Sequence, residues 1–243
     1  MTFRNQGLCP ICGQEAEFVS DHEWFRDHYK CSSCGSIPRE RALMAAIELF
    51  YPEWRTLKVH ESSPCGRGVS VKMREQCSGY TESQFYPDFP RGTMHPQGFR
   101  CEDLEHLTFP SRSFDLVITQ DVMEHVLNPT RAFAEIARTL RPGGAHAFTV
   151  PLVNKARASE VRAKRDSDGS IVYLQPPEYH ENPVSSEGSL VSMHWGYDIC
   201  EFIFKASGLY TTIVYIDDIS RGIRAELIEV LVSRKLGGEK TPR

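Results

Sequence analysis

The sequence lacks the features that mark membrane, secreted and strongly basic proteins. Its apolar runs all fall short of the roughly 18 residues that a membrane-spanning helix needs, and residues 1–6 contain no hydrophobic core of a signal peptide. A formal net charge of −4 over 243 residues excludes a general polyanion binder. Eight cysteines are too few for a disulfide scaffold of this length. We therefore expect a cytoplasmic protein with no membrane partner and no nucleic-acid partner.

Four of the cysteines are spaced as two metal-binding knuckles. The pattern C-x2-C-x18-C-x2-C is typical of a structural Zn²⁺ site with four thiolate ligands, which are Cys9, Cys12, Cys31 and Cys34. Because protein groups fill all four positions, the predicted zinc is structural rather than catalytic. The alternative is four free or disulfide-bonded cysteines, which a cytosolic protein rarely keeps.

The composition suits one full-sized domain with a small appendage. Hydrophobic residues are 40% and charged residues 25% of the chain, which is enough to bury a core. We predict a zinc ribbon at 1–36, a bridging helix at 37–54, a main domain at 55–235 and a flexible tail at 236–243. Ser36 is the expected cap of the bridging helix.

Strand patterns alternate with helix patterns beyond residue 55. The strands are predicted at 57–61, 79–82, 99–101, 114–119, 147–150, 209–216 and 225–233. This alternation predicts an open, mostly parallel α/β sheet whose last two strands form an antiparallel pair. Ligands of such sheets bind beyond the carboxyl ends of the strands.

Acidic side chains follow four of the predicted strands. They are Glu61, Glu82, Asp103 and Asp121. A carboxylate after the second strand of such a sheet commonly accepts the ribose hydroxyls of a nucleotide. Four carboxylates on one rim suit a nucleoside that also carries positive charge, whereas each taken singly reads as a solvated loop acid.

Several segments resemble one known family. They are residues 102–109 (EDLEHLTF), 113–118 (SFDLVI), 121–126 (DVMEHV) and 140–144 (LRPGG). Together they resemble the successive motifs of class I S-adenosylmethionine-dependent methyltransferases, over roughly residues 57–150. The resemblance implies a Rossmann-like, seven-stranded sheet with one antiparallel strand, preceded here by the zinc ribbon.

The resemblance also implies the cofactor, S-adenosylmethionine, and the residues that hold it. Glu82 would take the ribose, Asp103 the adenine amine, and Asp121 would lie near the methionine end. The full expected cofactor-binding set is Glu61, Ser63, Gly66, Glu82, Asp103, Leu104 and Asp121.

The first loop departs from the family pattern. Counted from Glu61, the family's three glycine positions hold Ser63, Cys65 and Arg67, while glycines stand at Gly66 and Gly68. Side chains therefore occupy positions where bare backbone usually approaches the cofactor. Either the loop takes another path, or cofactor affinity is weak or lost.

Residues 151–196 are too long for a simple connection, so we expect an acceptor-binding insertion there. The segment carries five basic residues, Lys155, Arg157, Arg162, Lys164 and Arg165. They form either a solvated helix face or an attractive surface for an anionic acceptor. His180 and His125 are the candidate general bases, because neutral histidine titrates near working pH. His125 could equally be a packed histidine.

The function expected from these observations is methyl transfer to an oxygen or nitrogen of a small polar acceptor, such as a sugar or sugar nucleotide. One alternative is an RNA methyltransferase that docks through the ribbon, against which the net acidity argues. The other is a non-catalytic binding protein with a methyltransferase fold, which the departing loop favours.

Overall fold

The computed structural model describes residues 2–182 and 185–237. Its N-terminal part is a three-stranded antiparallel ribbon in the order β1 (Phe3–Leu8), β2 (Glu15–Ser20), β3 (Lys30–Cys31), with the short helix α1 (Phe25–His28) between β2 and β3. Gly13 and Gly35, which follow the second cysteine of each knuckle, both have φ of 69°. Glycine adopts this left-handed conformation without the steric penalty of a side chain, which lets each knuckle turn tightly.

Helix α2 (Pro38–Phe50) joins the ribbon to the main domain, and a single 3₁₀ turn (Trp54–Thr56) follows it. The Glu40 carboxylate accepts a hydrogen bond from the Ile37 N–H at 3.1 Å, which satisfies a free donor at the start of the helix. Ser36 was the expected cap, but its hydroxyl instead lies 3.2 Å from the Sγ of Cys34. The Ser36 hydroxyl thus contacts a cysteine of the ribbon and does not cap the helix.

The main domain is built on a seven-stranded sheet. Its strands in chain order are β4 (Lys58–Ser62), β5 (Gly79–Gln84), β6 (Arg100–Cys101), β7 (Phe114–Gln120), β8 (Leu140–Thr149), β15 (Tyr210–Val214) and β16 (Val230–Arg234). They lie in the order β15-β16-β8-β7-β4-β5-β6, and β16 runs antiparallel to both of its neighbours. The predicted seven-stranded sheet with one antiparallel strand is confirmed.

Three helices connect these strands: α3 (Gly68–Gln76), α4 (Pro129–Thr139) and α5 (Ile199–Ser207). Strand β8 begins directly after α4, earlier than the sequence pattern predicts. Phe114 of β7 pairs with Leu140, whereas Leu116 pairs with Ala145, so the Pro-Gly-Gly segment forms an irregularity inside β8. A bulge of this kind absorbs residues that the ladder leaves unpaired.

The insertion between β8 and α5 contains three small strand pairs. They are β9 (Glu160–Val161) with β14 (Met193–His194), β10 (Ala163–Arg165) with β11 (Ile171–Tyr173), and β12 (Tyr179–Asn182) with β13 (Ser185–Leu190). Lys164 and Arg165 therefore lie on a strand, and the expectation of a basic helix face is wrong. A second 3₁₀ turn (Ile219–Arg221) precedes β16, and residues 238–243 of the expected tail lie outside the described part of the chain.

The ribbon shares one apolar core with the main domain. Phe18 and Tyr29 of the ribbon belong to the same buried cluster as Met44 of α2 and Val59 and Leu116 of the sheet. Burial of this kind stabilises the ribbon at about 25 cal/mol for each Å² of apolar surface removed from water. Among the described residues, no helix has both the length and the apolar character needed to span a bilayer.

Candidate functional site

A cleft of about 1050 Å³ opens at the carboxyl ends of β4, β5, β6 and β7. Three parts of the chain form its walls. The sheet rim contributes Ser63, Gln84, Asp103, Leu104 and Asp121; the ribbon and α2 contribute Trp24, Arg26, Asp27 and Arg39; and the insertion contributes Arg165, His180, Glu181 and Ser189. The cleft is large enough for a nucleoside and a second small molecule together.

The structure brings most of the expected site residues into this cleft. Those that line it are Ser63, Asp103, Leu104, Asp121, His125 and His180. Glu61, Gly66 and Glu82 do not line it.

Glu61 lies fully buried beneath the first loop instead of projecting from the sheet. Its carboxylate accepts hydrogen bonds from the Ser70 hydroxyl at 2.8 Å and from Nε2 of Gln120 at 2.7 Å. The Ser70 hydroxyl in turn accepts from the Cys65 N–H at 2.9 Å. Burial raises the pKa of Glu61, although these hydrogen bonds act to lower it. Glu61 therefore supports the loop rather than offering a free carboxylate to a ligand.

Glu82 forms an ion pair with Arg74 of α3, whose Nε lies 3.2 Å from the carboxylate. Gln84, two residues further along β5, lines the cleft in the region where the ribose-binding group was expected. The sequence does not single out Gln84, because the acidic Glu82 is the stronger signal at this strand.

The first loop follows its own path. Ser63 adopts φ of 59° and its N–H donates to the Ser83 carbonyl at 2.8 Å, so the loop bonds to the strand beside it. Gly68 has φ of 62°, and a Cβ there would lie 2.5 Å from the carboxyl carbon of Glu40. This glycine therefore makes room for α2, whereas the family's glycines make room for a ligand.

Asp121 connects the sheet rim to the ribbon. Its carboxylate lies 2.6 Å from Nη2 of Arg26 in α1 and 3.0 Å from Nε of Arg39 in α2, and it accepts from the Thr149 hydroxyl at 2.9 Å. Burial alone would raise the pKa of Asp121, but the two guanidinium groups lower it to about 2. The backbone at Asp121 is left-handed, with φ of 50°, a strained conformation of the kind found at functional sites.

Asp103 stands at the cleft rim beyond β6. One carboxylate oxygen accepts from the Glu105 N–H at 2.8 Å, and the other lies 3.3 Å from Nδ1 of His106. The neighbouring Leu104 is 5% exposed and forms an apolar part of the wall. A fixed carboxylate beside an apolar surface suits a planar base with an exocyclic amine.

Glu124, His125 and His180 come together beside the cleft, which the two histidines line, and we call them the Glu124 cluster. The rings of His125 and His180 lie 5.1 Å apart in a T-shaped arrangement. Nε2 of His125 is 3.8 Å from Oε1 of Glu124. Burial lowers the pKa of His125, while burial and then the charge of Asp121 raise the pKa of Glu124 to about 8. Glu124 is not among the site residues expected from the sequence, where it stands only as part of the DVMEHV segment.

The four ribbon cysteines come together as their spacing predicts. Their Sγ atoms all lie within 4.8 Å of one another, and those of Cys9 and Cys34 are 3.8 Å apart. The contact between them lowers the pKa of Cys9 to about 4 and raises the pKa of Cys34, as expected of two thiols that share one proton. These donors fit a closed tetrahedral zinc site.

Comparisons with known proteins agree with this architecture. Residues 68–148, about a third of the chain, match the family model described as a methyltransferase domain. Ubiquinone biosynthesis O-methyltransferase of Coxiella burnetii is 35% identical over 46 residues, which cover 19% of this chain and 20% of the relative. The chain thus matches about a fifth of the length of the curated relatives.

Two solved structures resemble a larger share of the chain. One is the complex between the Haloferax volcanii Trm112 methyltransferase activator and a methyltransferase, with 18% identity, TM-score 0.50 and coverage of 84% of this chain and 92% of that one. The other is an S-adenosylmethionine-dependent methyltransferase from Mesorhizobium loti, with 18% identity, TM-score 0.48 and coverage of 80% and 98%. Residues 68–148 are thus similar to a methyltransferase domain, and the seven-stranded sheet to which they contribute has the architecture expected of that fold. The matched segment follows a ribbon of four clustered cysteines.

Proposed function

We propose that this protein transfers a methyl group from S-adenosylmethionine to an oxygen or nitrogen of a small polar acceptor. The observation that carries the proposal is the cleft at the carboxyl ends of β4 to β7, most of whose sheet rim lies inside the segment that matches the methyltransferase domain. A sheet of this type binds its ligand at this position.

We assign the cofactor end to the sheet rim. Ser63, Gln84, Asp103 and Leu104 would hold S-adenosylmethionine, which supplies a methyl group on a sulfonium when bound. The carboxylate of Asp103 would accept from the base, and Gln84 replaces Glu82 as the candidate for the ribose. Glu61 and Gly66 would contribute to cofactor binding indirectly, Glu61 by supporting the loop that carries Ser63 and Gly66 as a residue of that loop.

We assign the acceptor end to the Glu124 cluster and the insertion around it. His180 and His125 border the cleft here, and a neutral imidazole can accept the proton that the acceptor loses. The chain's other contribution is positioning, since methyl transfer needs the two reacting atoms in line.

The charges of the cleft bear on the class of acceptor. Its lining contains six carboxylates against three arginines, and Asp121 pairs with two of those arginines. Such a lining favours a cationic sulfonium and an uncharged polar acceptor over a phosphate-rich one. A sugar or another hydroxylated metabolite therefore fits better than a sugar nucleotide, and RNA fits least.

Calorimetric titration with S-adenosylmethionine and S-adenosylhomocysteine tests the proposal. We expect both to bind, and we expect an acceptor screen with labelled methyl donor to identify methylated products. Failure of both ligands to bind would favour the non-catalytic alternative. Salt-dependent binding of RNA would favour the alternative of an RNA substrate.

A further inference from the structure

The Glu124 carboxylate is an unusual buried acid. Its residue is 2% exposed, and among the described residues neither carboxylate oxygen has a hydrogen-bond partner. Burying an unpaired carboxylate is costly unless a cation or a donor compensates it. Nε2 of His125 lies 3.8 Å from Oε1 of Glu124, which is beyond hydrogen-bond distance.

His125 faces this carboxylate with a free lone pair. Its Nδ1 lies 3.0 Å from the carbonyl oxygen of Leu190, and since a carbonyl only accepts, Nδ1 carries the proton. In the neutral ring Nε2 is therefore unprotonated. Histidines that bind metals commonly donate their other N–H to a backbone carbonyl in this way, which fixes the ring orientation.

One hairpin positions the rest of the cluster. Leu190 lies on β13 and His180 on β12, and these two strands pair with His180 opposite Ser189. The hairpin thus supplies both a third donor and the carbonyl that orients His125. The donor atoms of the three residues all lie within 4.8 Å of one another.

These separations are close to those around a single cation. Ligand atoms stand roughly 3 to 3.5 Å apart when metal–ligand bonds are about 2.1 Å long. The contact between Glu124 and His125, at 3.8 Å, is slightly longer than that. The His180 side chain is 42% exposed and its Nε2 lies 3.4 Å from Oε1 of the partly exposed Glu178, so completing the site requires the ring to turn away from that carboxylate.

We propose that Glu124, His125 and His180 bind a divalent transition-metal cation at the acceptor end of the cleft. Two imidazoles and one carboxylate form a donor set that suits such ions and leaves coordination positions open. The open positions would face the cleft, because both histidines line it. This site is separate from the four-thiolate ribbon.

The role of the cation rests on the proposed function and deepens it. An acceptor with a hydroxyl beside a carbonyl or a second hydroxyl could coordinate the cation, which lowers the pKa of a bound hydroxyl. A histidine nitrogen bound to metal cannot also accept a proton. In this arrangement His125 and His180 are therefore ligands, and the acceptor hydroxyl, whose pKa the cation lowers, would give its proton to solvent water. The resulting oxygen would form a bond to the methyl carbon as the bond from that carbon to the sulfonium sulfur breaks, which leaves S-adenosylhomocysteine.

Titration with Co²⁺, on protein whose ribbon zinc is in place, tests the site. We expect calorimetry to detect one Co²⁺ per chain, without the strong thiolate–cobalt absorption that exchange at the ribbon would produce. E124Q, H125A and H180A should each weaken this binding at least tenfold. H95A, which removes a histidine that stacks on Tyr86 outside the cluster, is the matched control and should bind Co²⁺ as the wild type does.

Absence of Co²⁺ binding, or equal binding by wild type and H180A, would overturn the inference. H180A keeps the test decisive if E124Q fails to fold, because His180 is a partly exposed side chain on a hairpin. Titration with S-adenosylmethionine separates the two proposals. Cofactor binding without Co²⁺ binding would reject the cation site alone, and Co²⁺ binding without cofactor binding would reject the proposed methyl transfer alone.

Discussion

The guanidinium of Arg26, in the N-terminal ribbon, lies 2.6 Å from the carboxylate of Asp121, which follows β7 at the floor of the cleft. The Arg26 side chain is 8% exposed, and its Nε also donates to the Leu227 carbonyl at 2.9 Å. The sequence predicts an acceptor-binding insertion at 151–196 and gives no sign that the ribbon reaches the cleft. In the structure the ribbon also lines the cleft, through Trp24, Arg26 and Asp27.

Substitution R26A should destabilise the protein by roughly 1.5–3 kcal/mol, because it removes the charge-assisted hydrogen bond to the partly buried carboxylate of Asp121, which then keeps only Arg39 and the Thr149 hydroxyl. Urea unfolding measures the change. R4A is the matched control, since Arg4 pairs with Glu17 at 2.8 Å with 61% of its side chain exposed. Its loss should cost no more than about 1 kcal/mol. Equal effects of the two substitutions would show that Arg26 does not hold the ribbon to the cleft.

Purified protein should contain one zinc per chain, and C12S should lose it because a four-thiolate site needs every ligand. We expect a lower midpoint of thermal unfolding for the whole chain, since the ribbon shares its core with the sheet. Elemental analysis and a thermal scan measure the two effects. C200S, which alters a half-buried cysteine of α5, should keep the metal. Zinc-free protein with four freely titratable ribbon thiols would contradict the prediction.

Substitution D103A should weaken S-adenosylmethionine binding by about one to two decades, which corresponds to a lost hydrogen bond of roughly 1.5–3 kcal/mol to a charged group. From the sequence, E82A is expected to have the same effect. The structure leads us to expect near-normal binding by E82A, because Glu82 pairs with Arg74 outside the cleft. Calorimetry on both variants decides between the two, and normal binding by D103A would mean that the nucleoside lies elsewhere.

Substitutions H180A and H125A should each lower turnover by tenfold or more while cofactor affinity stays near wild type. Both residues act on the acceptor, either as bases or as ligands of a cation. The measurement needs an acceptor from the screen, with initial rates at saturating cofactor. If chelation of the cluster metal lowers wild-type turnover and added Co²⁺ restores it, the ligand role holds. Full turnover by both variants would make the histidines structural.

Acid should destabilise the protein through two buried histidines. Burial, and then the charge of Arg100, lowers the pKa of His60 to about 3, and burial and then His60 lower that of His146 to about 3. In the unfolded chain histidine titrates near 6.5, so the unfolded state binds more protons between about pH 6.5 and 3. Above about pH 6.5 both states hold these histidines neutral, so their full contribution to the free energy of unfolding is present. Below that pH the free energy of unfolding decreases by about 1.4 kcal/mol per pH unit for each residue.

Unfolding free energies measured between pH 7 and 4 test this prediction. H60Q and H146Q retain a polar group near Nε2, which bonds the Ser83 hydroxyl in one case and the Thr119 hydroxyl in the other. Each should be less stable at pH 7 and should show a shallower loss in acid. H22Q changes an exposed histidine and should leave the slope unchanged. An unaltered slope in both core variants would mean that other groups cause the acid sensitivity.

The sheet was predictable because its signal is local. The buried strand Phe114–Gln120 is centred on the apolar run at residues 116–118. Helix α4 starts at an Asn-Pro pair whose Asn128 side chain accepts from the Arg131 N–H at 3.1 Å. The Pro-Gly-Gly segment misled the prediction of β8, because such residues usually end an element. In this protein the ladder with β7 continues on both sides of them.

The site was less predictable because it depends on contacts between distant segments. The carboxylates of Glu61 and Glu82 look equivalent in the sequence. In the structure, however, Glu61 accepts hydrogen bonds from Ser70 and Gln120, and Glu82 forms an ion pair with Arg74. No local pattern shows these partners. Glu124 likewise has significance only through His180, which the hairpin of the insertion brings from far along the chain.

The contacts of Arg41 in α2 limit when the ribbon can reach its final position during folding. Its fully buried guanidinium donates to the carbonyls of Tyr29 and, across 181 positions of sequence, Gly222 at 2.7 Å. During synthesis the ribbon leaves the ribosome long before Gly222 does, at roughly 5–20 residues per second. Zinc bound by the four cysteines would order the knuckles early, whereas the surface against which the ribbon packs is complete only once the segment with Gly222 has been synthesised. Until then the Arg41 guanidinium and the aromatic rings that it contacts, Phe18 and Tyr29, cannot reach their buried positions.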